Sequence, residues 1–148
     1  MRLDLPGKTV AITGAGGGLG AALARSLRAH GANVALLDLT AEGVQADAAR
    51  LGGDRYARGW AVDVRDFEAQ QRVFGEVADH FGGIDVVVAG AGVLGPLQTI
   101  GPTEPADWDR VIATNLGSCF NMAKAAFPAM VERKFGRIVN IGSINGQA

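Results

Sequence analysis

Residues 8–24 read KTVAITGAGGGLGAALA. A short β-branched apolar run, 8–13, meets a cluster of glycines. Beyond it, Leu19, Ala22, Leu23, Ser26 and Leu27 recur at helical spacing, and Gly31 closes that run. The stretch therefore predicts a buried strand, a tight glycine turn and a helix. Such a turn needs glycine where φ is positive and where the backbone must lie close to a ligand. Gly14, Gly18 and Gly20 fall at those places, with Gly16, Gly17 and Leu19 between them. The helix that follows points its unpaired N–H groups and positive dipole end at the turn, which suits a pyrophosphate.

A glycine turn alone is a weak signal, and many bind nothing. Here the second strand, 33–37, ends in Asp38, where a carboxylate can accept both ribose hydroxyls of an adenosine. The same acid repels a 2′-phosphate. No Arg or Lys occupies 15–17 or directly follows Asp38. NAD is therefore expected in preference to NADP. A P-loop is excluded because no Gly-Lys-Ser/Thr follows the glycines.

The alternation continues to the end of the chain. An Ala-rich helix is expected over 41–51, a third strand over 56–62, and an amphipathic helix marked by Phe67, Gln71, Phe74, Val77, Ala78 and Phe81. A fourth strand follows at 84–89. A Gly/Pro-rich loop leads to one long helix over 107–133, and a fifth strand covers 137–141. Near-continuous apolar strands separated by helices predict an α/β, doubly wound, Rossmann-type parallel sheet in order 3-2-1-4-5, one domain over 1–148. The long helix is apolar on more than one stripe. One stripe packs on the sheet, and the other either meets a partner subunit or is alanine-rich filler. Asp63, closing the third strand in AVDV, either accepts from an adenine amino group or caps the helix that starts near Asp66.

Composition narrows the partners. The 148 residues are 48% hydrophobic with formal net charge −1, so there is no electrostatic footprint for nucleic acid or an anionic membrane. Apolar runs such as VVVAGAGVL are too short to cross a bilayer. The N-terminal MRLDLPGKTVAIT lacks the form of a secretory signal, so a cytoplasmic protein is expected. The single Cys119 leaves no internal disulfide and no multi-cysteine metal site, and no metal is expected. His30 and His80 stand just ahead of glycines and read as helix-end residues.

Taken together, these residues resemble the short-chain dehydrogenase/reductase family. TGAGGGLG is similar to its TGxxxGxG turn, and Asp63 with Val64 to its adenine-binding DV pair. Asp85 in IDVVVAGAG stands where the family has a strand-initiating aspartate before NNAG. Asn115 in ATNLGSCFN resembles its helical asparagine, and NIGS resembles the strand that delivers the catalytic serine, here Ser143. GRIVNIGSINGQ is most similar to the acetoacetyl-CoA and 3-oxoacyl-thioester reductases.

The resemblance implies an oxidoreductase interconverting a secondary alcohol and a ketone, with a small-molecule substrate and a homo-oligomeric parent. Ser143 would polarise the carbonyl, Asn115 would hold a water for proton relay, and a tyrosine tuned by a lysine would act as acid/base. Read from the residues alone, Asn115 is a polar group in an apolar stripe that demands a hydrogen-bond partner, or a satisfied residue at a helix bend. Ser143 is a substrate-orienting hydroxyl or a turn hydroxyl.

Two departures stand out. NNAG is replaced by Ala89-Gly90-Ala91-Gly92, which keeps close backbone approach at Gly90, Ala91 and Gly92 but removes two bracing asparagines. No Tyr-x-x-x-Lys exists, since the sole tyrosine, Tyr56, is followed four residues later by Trp60. The chain is thus expected to be the N-terminal part of such an enzyme and inactive alone. A non-catalytic dinucleotide-binding or sensing module is the other reading, and it has no use for Ser143 and Asn115 in register.

Overall fold

In the computed structural model, which describes residues 4–96 and 99–143, the strands run β1 (Thr9–Thr13), β2 (Asn33–Asp38), β3 (Ala57–Ala61), β4 (Val86–Ala89) and β5 (Arg137–Asn140). All pair in parallel, in the order β3-β2-β1-β4-β5, as the alternation predicted. Helices α1 (Gly18–Ala29), α2 (Ala41–Arg50), α3 (Phe67–Phe81), α4 (Pro105–Ile112) and α5 (Ser118–Glu132) connect them.

Side chains alternate across the sheet, and two cores result. Val10, Ile12, Val34 and Leu36 face Ala24 of α1 with Val44 and Ala48 of α2. Ala11, Leu37 and Val87 face Val73 and Val77 of α3 with Met122 and Ala126 of α5. Strands buried on both faces explain the near-continuous apolar runs. This arrangement directs every strand's carboxyl end, and the loop after it, to one edge of the sheet.

The N-cap of α3 is Asp66, whose carboxylate accepts from Ala69 N–H at 3.0 Å. The cap is therefore Asp66 and not Asp63. Asp66→Ala is expected to cost about 1 kcal/mol and to lower the midpoint of thermal unfolding by about 2–4 °C. A calorimetric scan of the variant measures both.

The strands begin together because Asp85 ties their amino ends. Its carboxylate accepts from Thr9 N–H at 2.9 Å, with Lys8 Nζ at 3.8 Å and Arg133 Nη1 at 3.6 Å, and Arg133 also donates to the Ile84 carbonyl. His30 caps α1 and meets the Ser26 carbonyl at 2.8 Å. His80, in the last turn of α3, reaches the Asp54 carbonyl at 2.6 Å.

One expectation about the second half needs correction. The long helix is not continuous: a π-turn, Ala113–Gly117, separates α4 from α5. Such a turn widens the helix by one residue, and Asn115 sits at its centre. Pro128 is accommodated within α5 on the solvent side, where the carbonyl it leaves unbonded can be hydrated. The two apolar stripes are real. Ser118, Met122, Ala126 and Met130 are buried, whereas Leu116, Phe120, Phe127 and Val131 are exposed.

All four residues of β5 are exposed despite the strand's apolar character. It pairs with β4 alone, so one row of its backbone groups lies at the sheet edge.

Candidate nucleotide-binding cleft

The carboxyl ends of the strands enclose a cleft of about 710 Å³. Its walls bring together three separate sequence signals: Gly14, Gly16 and Gly17 of the first turn, Asp38 of the second strand, and Asp63 with Val64 after the third. Gly90, Ala91 and Gly92 close the fourth side.

The first turn has the shape that its glycines allow. Gly14 has φ +69°, and a Cβ there would lie 2.7 Å from the Gly90 carbonyl oxygen. A Cβ on Gly20 would collide with the Gly14 carbonyl, so α1 packs against the turn only because that position is bare. Gly18 differs, because nothing lies within 4 Å of a Cβ built on it. Its φ is not positive, so only an approaching ligand would need a glycine there. The N-cap Gly17 supplies no side-chain cap. The opening amides of α1, those of Gly18, Leu19 and Gly20, have no partner within the helix and suit an anion.

Asp38 is built into this turn. Its Oδ2 accepts from Gly16 N–H at 2.8 Å and its Oδ1 from Leu39 N–H at 2.7 Å. The acid that sequence reading placed at the ribose is thus also a structural part of the glycine loop. A Cβ on Gly16 would stand 3.0 Å from Asp38 Oδ2.

Asp63 is held by Arg65, which the sequence reading overlooked. Oδ1 accepts from the Arg65 backbone N–H at 3.0 Å and from Nε at 2.9 Å, while Oδ2 accepts from Nη2 at 2.6 Å. These hydrogen bonds from Arg65 hold the Asp63 carboxyl below the usual carboxylate range, against the opposing effect of partial burial. Asn121 of α5 donates to the carbonyls of Val64 and Arg65, at 3.3 Å each, and anchors the loop that carries the pair.

The glycines after β4 are braced despite the missing asparagines. Thr13 Oγ1 accepts from Gly90 N–H at 3.1 Å and from Ala91 N–H at 3.3 Å. Gly90 must be bare, because a Cβ would lie 2.8 Å from the Thr13 carbonyl oxygen, but Gly92 meets only ordinary contacts. Asn115 continues the brace: its Oδ1 accepts from Val93 N–H at 2.8 Å, and its Nδ2 donates to the Val93 carbonyl at 3.0 Å. The side chain is thus the satisfied residue of a helix bend, and it holds the loop beside the cleft.

Ser143 is exposed and follows the carboxyl end of β5, where Asn140 pairs with Ala89. It stands on the same edge of the sheet as Gly90 and Gly92. Arg110 and Thr114 also line the cleft and carry no sequence signal of their own, since both sit within a helical run. Among the described residues, no helix is long and apolar enough to cross a membrane, and no group of His, Cys, Asp and Glu could hold a metal ion.

Known proteins with this architecture are numerous. D-threitol dehydrogenase of Mycolicibacterium smegmatis is 45% identical over 145 residues, 96% of this chain and 54% of that protein. The 3-oxoacyl-acyl-carrier-protein reductase of Vibrio cholerae is 34% identical, over 97% of this chain and 58% of its own length. Among solved structures, NAD+-bound xylitol dehydrogenase superposes with a TM-score of 0.91 at 33% identity, covering 97% of this chain and 55% of that one. This chain therefore spans about half the length of the relatives it matches. The family model described as short chain dehydrogenase matches residues 8–148, and with the turn, the acids and the sheet order above, the chain belongs to the short-chain dehydrogenase family.

Proposed function

We propose that this chain is the cofactor-binding part of an NAD-dependent oxidoreductase interconverting a secondary alcohol and a ketone. The carrying observation is Asp38, an acceptor-only group built into the glycine turn and lining the cleft. In this reading Gly14, Gly16, Gly17, Gly18, Leu19 and Gly20 receive the pyrophosphate, and Asp38 receives the ribose hydroxyls. Asp63 and Val64 take the adenine, while Gly90, Ala91 and Gly92 admit the nicotinamide half. A bound nicotinamide supplies a two-electron hydride acceptor. NAD is favoured over NADP because a 2′-phosphate would meet the Asp38 carboxylate.

Ser143 orients the substrate oxygen in this proposal, and Asn115 contributes through its two-point hold on Val93. That Asn115 also holds a relay water is proposed on the family resemblance alone. Polyols are the substrate class to test first, because relatives named for D-threitol and xylitol lie among the similar proteins. The exposed stripe of Leu116, Phe120, Phe127 and Val131 supports association with a second copy.

Oxidation of an alcohol also releases a hydroxyl proton, which needs an acceptor tuned towards neutral pH. Tyr56 is unsuited to that task. It precedes β3, at the amino ends of the strands, and Arg28 and Arg55 stack on its ring. The 148 residues are therefore expected to bind NAD without steady turnover. Titration with NAD and NADP, followed by an assay of NAD reduction with polyols, tests both halves. Failure to bind NAD overturns the reading, and a sustained rate overturns the claim that the proton acceptor lies elsewhere.

A further inference from the structure

We infer that Arg65 is a positioning residue that sets the base specificity of the cleft, holding Asp63 as an oriented acceptor for an exocyclic amino group. The inference rests on the dinucleotide reading above.

Asp63 and Arg65 lie two residues apart on the loop after β3, and both line the cleft. Arg65 donates through its backbone N–H, through Nε to both carboxylate oxygens at 2.9 and 3.1 Å, and through Nη2. A planar guanidinium fixes a carboxylate plane in a way that a point charge does not. The loop itself cannot swing away, because Asn121 holds the carbonyls of Val64 and Arg65 from the helix behind.

The consequence is chemical. An ionised carboxylate has about four lone-pair positions and no proton to give. Arg65 fills Oδ1 with its backbone N–H and Nε. Oδ2 meets Nη2 and only a longer share of Nε, and so keeps the capacity for another donor. It accepts from the amino group of adenine and repels the keto oxygen that replaces it in hypoxanthine. The Nε/Nη2 edge of Arg65 is committed to Asp63.

The test compares NAD with nicotinamide hypoxanthine dinucleotide, which differs only in that amino group, by calorimetric titration of the wild-type protein, R65M and R65K. The wild type is expected to prefer NAD by about tenfold or more, the worth of one charge-assisted hydrogen bond. R65M should bring the ratio close to one. R65K should fall between, because lysine keeps the charge but not the fork. Nicotinamide mononucleotide, which has no adenine, should bind all three proteins alike. A ratio unchanged in R65M overturns the inference, as does an equal loss of both dinucleotides, which would mark a merely structural arginine. Equal binding of the two by the wild type overturns it while leaving the dinucleotide reading intact. A wild type that binds neither overturns both.

Discussion

Replacing Gly14 with alanine is expected to lower stability by about 2–5 kcal/mol, through two costs that add. The residue has φ +69°, which costs an L side chain about 1–2 kcal/mol. Its Cβ would also lie 2.7 Å from the Gly90 carbonyl oxygen and 2.8 Å from Ala91 N, all of it backbone. That segment cannot retreat freely, since Thr13 Oγ1 holds both Gly90 N–H and Ala91 N–H. Forced repacking of this kind costs about 1–3 kcal/mol. Against a total of about 5–15 kcal/mol the sum is large. The unfolding midpoint should fall by about 4–20 °C, at about 2–4 °C per kcal/mol. Circular dichroism melts of the two proteins measure it, and a midpoint within 2 °C of wild type, on the order of the measurement spread, would sink the account.

Gly18→Ala is the informative partner. Nothing lies within 4 Å of the new Cβ, and alanine is the better helix former by about 1 kcal/mol. Stability should hold or rise, while NAD affinity falls if the backbone of that turn lies against the pyrophosphate. On that outcome one glycine is kept by the fold and the other for the ligand.

The sheet was legible in the sequence because its central strands β1, β2 and β4 are buried on both faces. Val10 and Ile12 enter one core and Ala11 the other, so no polar residue interrupts the run. The glycine turn and Asp38 were legible for a related reason, since their roles depend on position relative to a strand end.

What was not legible depends on geometry between distant residues. The π-turn leaves Ile112, Leu116 and Phe120 at helical spacing, so periodicity runs straight through it. Only Asn115 and Gly117 hinted at a break, and the partner that makes sense of Asn115 is Val93, on another loop. The loss of NNAG suggested a loose fourth loop. The brace comes from Thr13, a residue that reads as ordinary strand. Arg65 stood two residues from Asp63 in plain view. Whether such a pair closes on itself or opens to solvent is decided by the backbone of the loop.

Asp38→Asn is expected to lower the preference for NAD over NADP by about two orders of magnitude, and both sides of the ratio move. The carboxylate now takes Gly16 N–H on one oxygen and Leu39 N–H on the other, at 2.8 and 2.7 Å. An amide of the same shape has one acceptor oxygen and one donor nitrogen, so one of these N–H groups must face another donor. The glycine turn loses a tie, and the ribose hydroxyls lose an ionised acceptor worth about 1.5–3 kcal/mol. NAD should therefore bind about ten- to a hundredfold more weakly. For NADP the same loss is offset by relief of repulsion, about 1–4 kcal/mol for charges near 4 Å in partly exposed surroundings. The relief is not an attraction, because Arg65 is already ion-paired to Asp63 and Leu39 brings no charge. NADP should stay a weak ligand of Asp38→Asn, and its affinity should rise clearly only when Leu39→Arg is added, placing a guanidinium where a 2′-phosphate would lie. Parallel titrations of both dinucleotides against the single and double variants give the four affinities required. If Asp38→Asn weakens both cofactors equally, the carboxylate serves the loop and not the choice of cofactor.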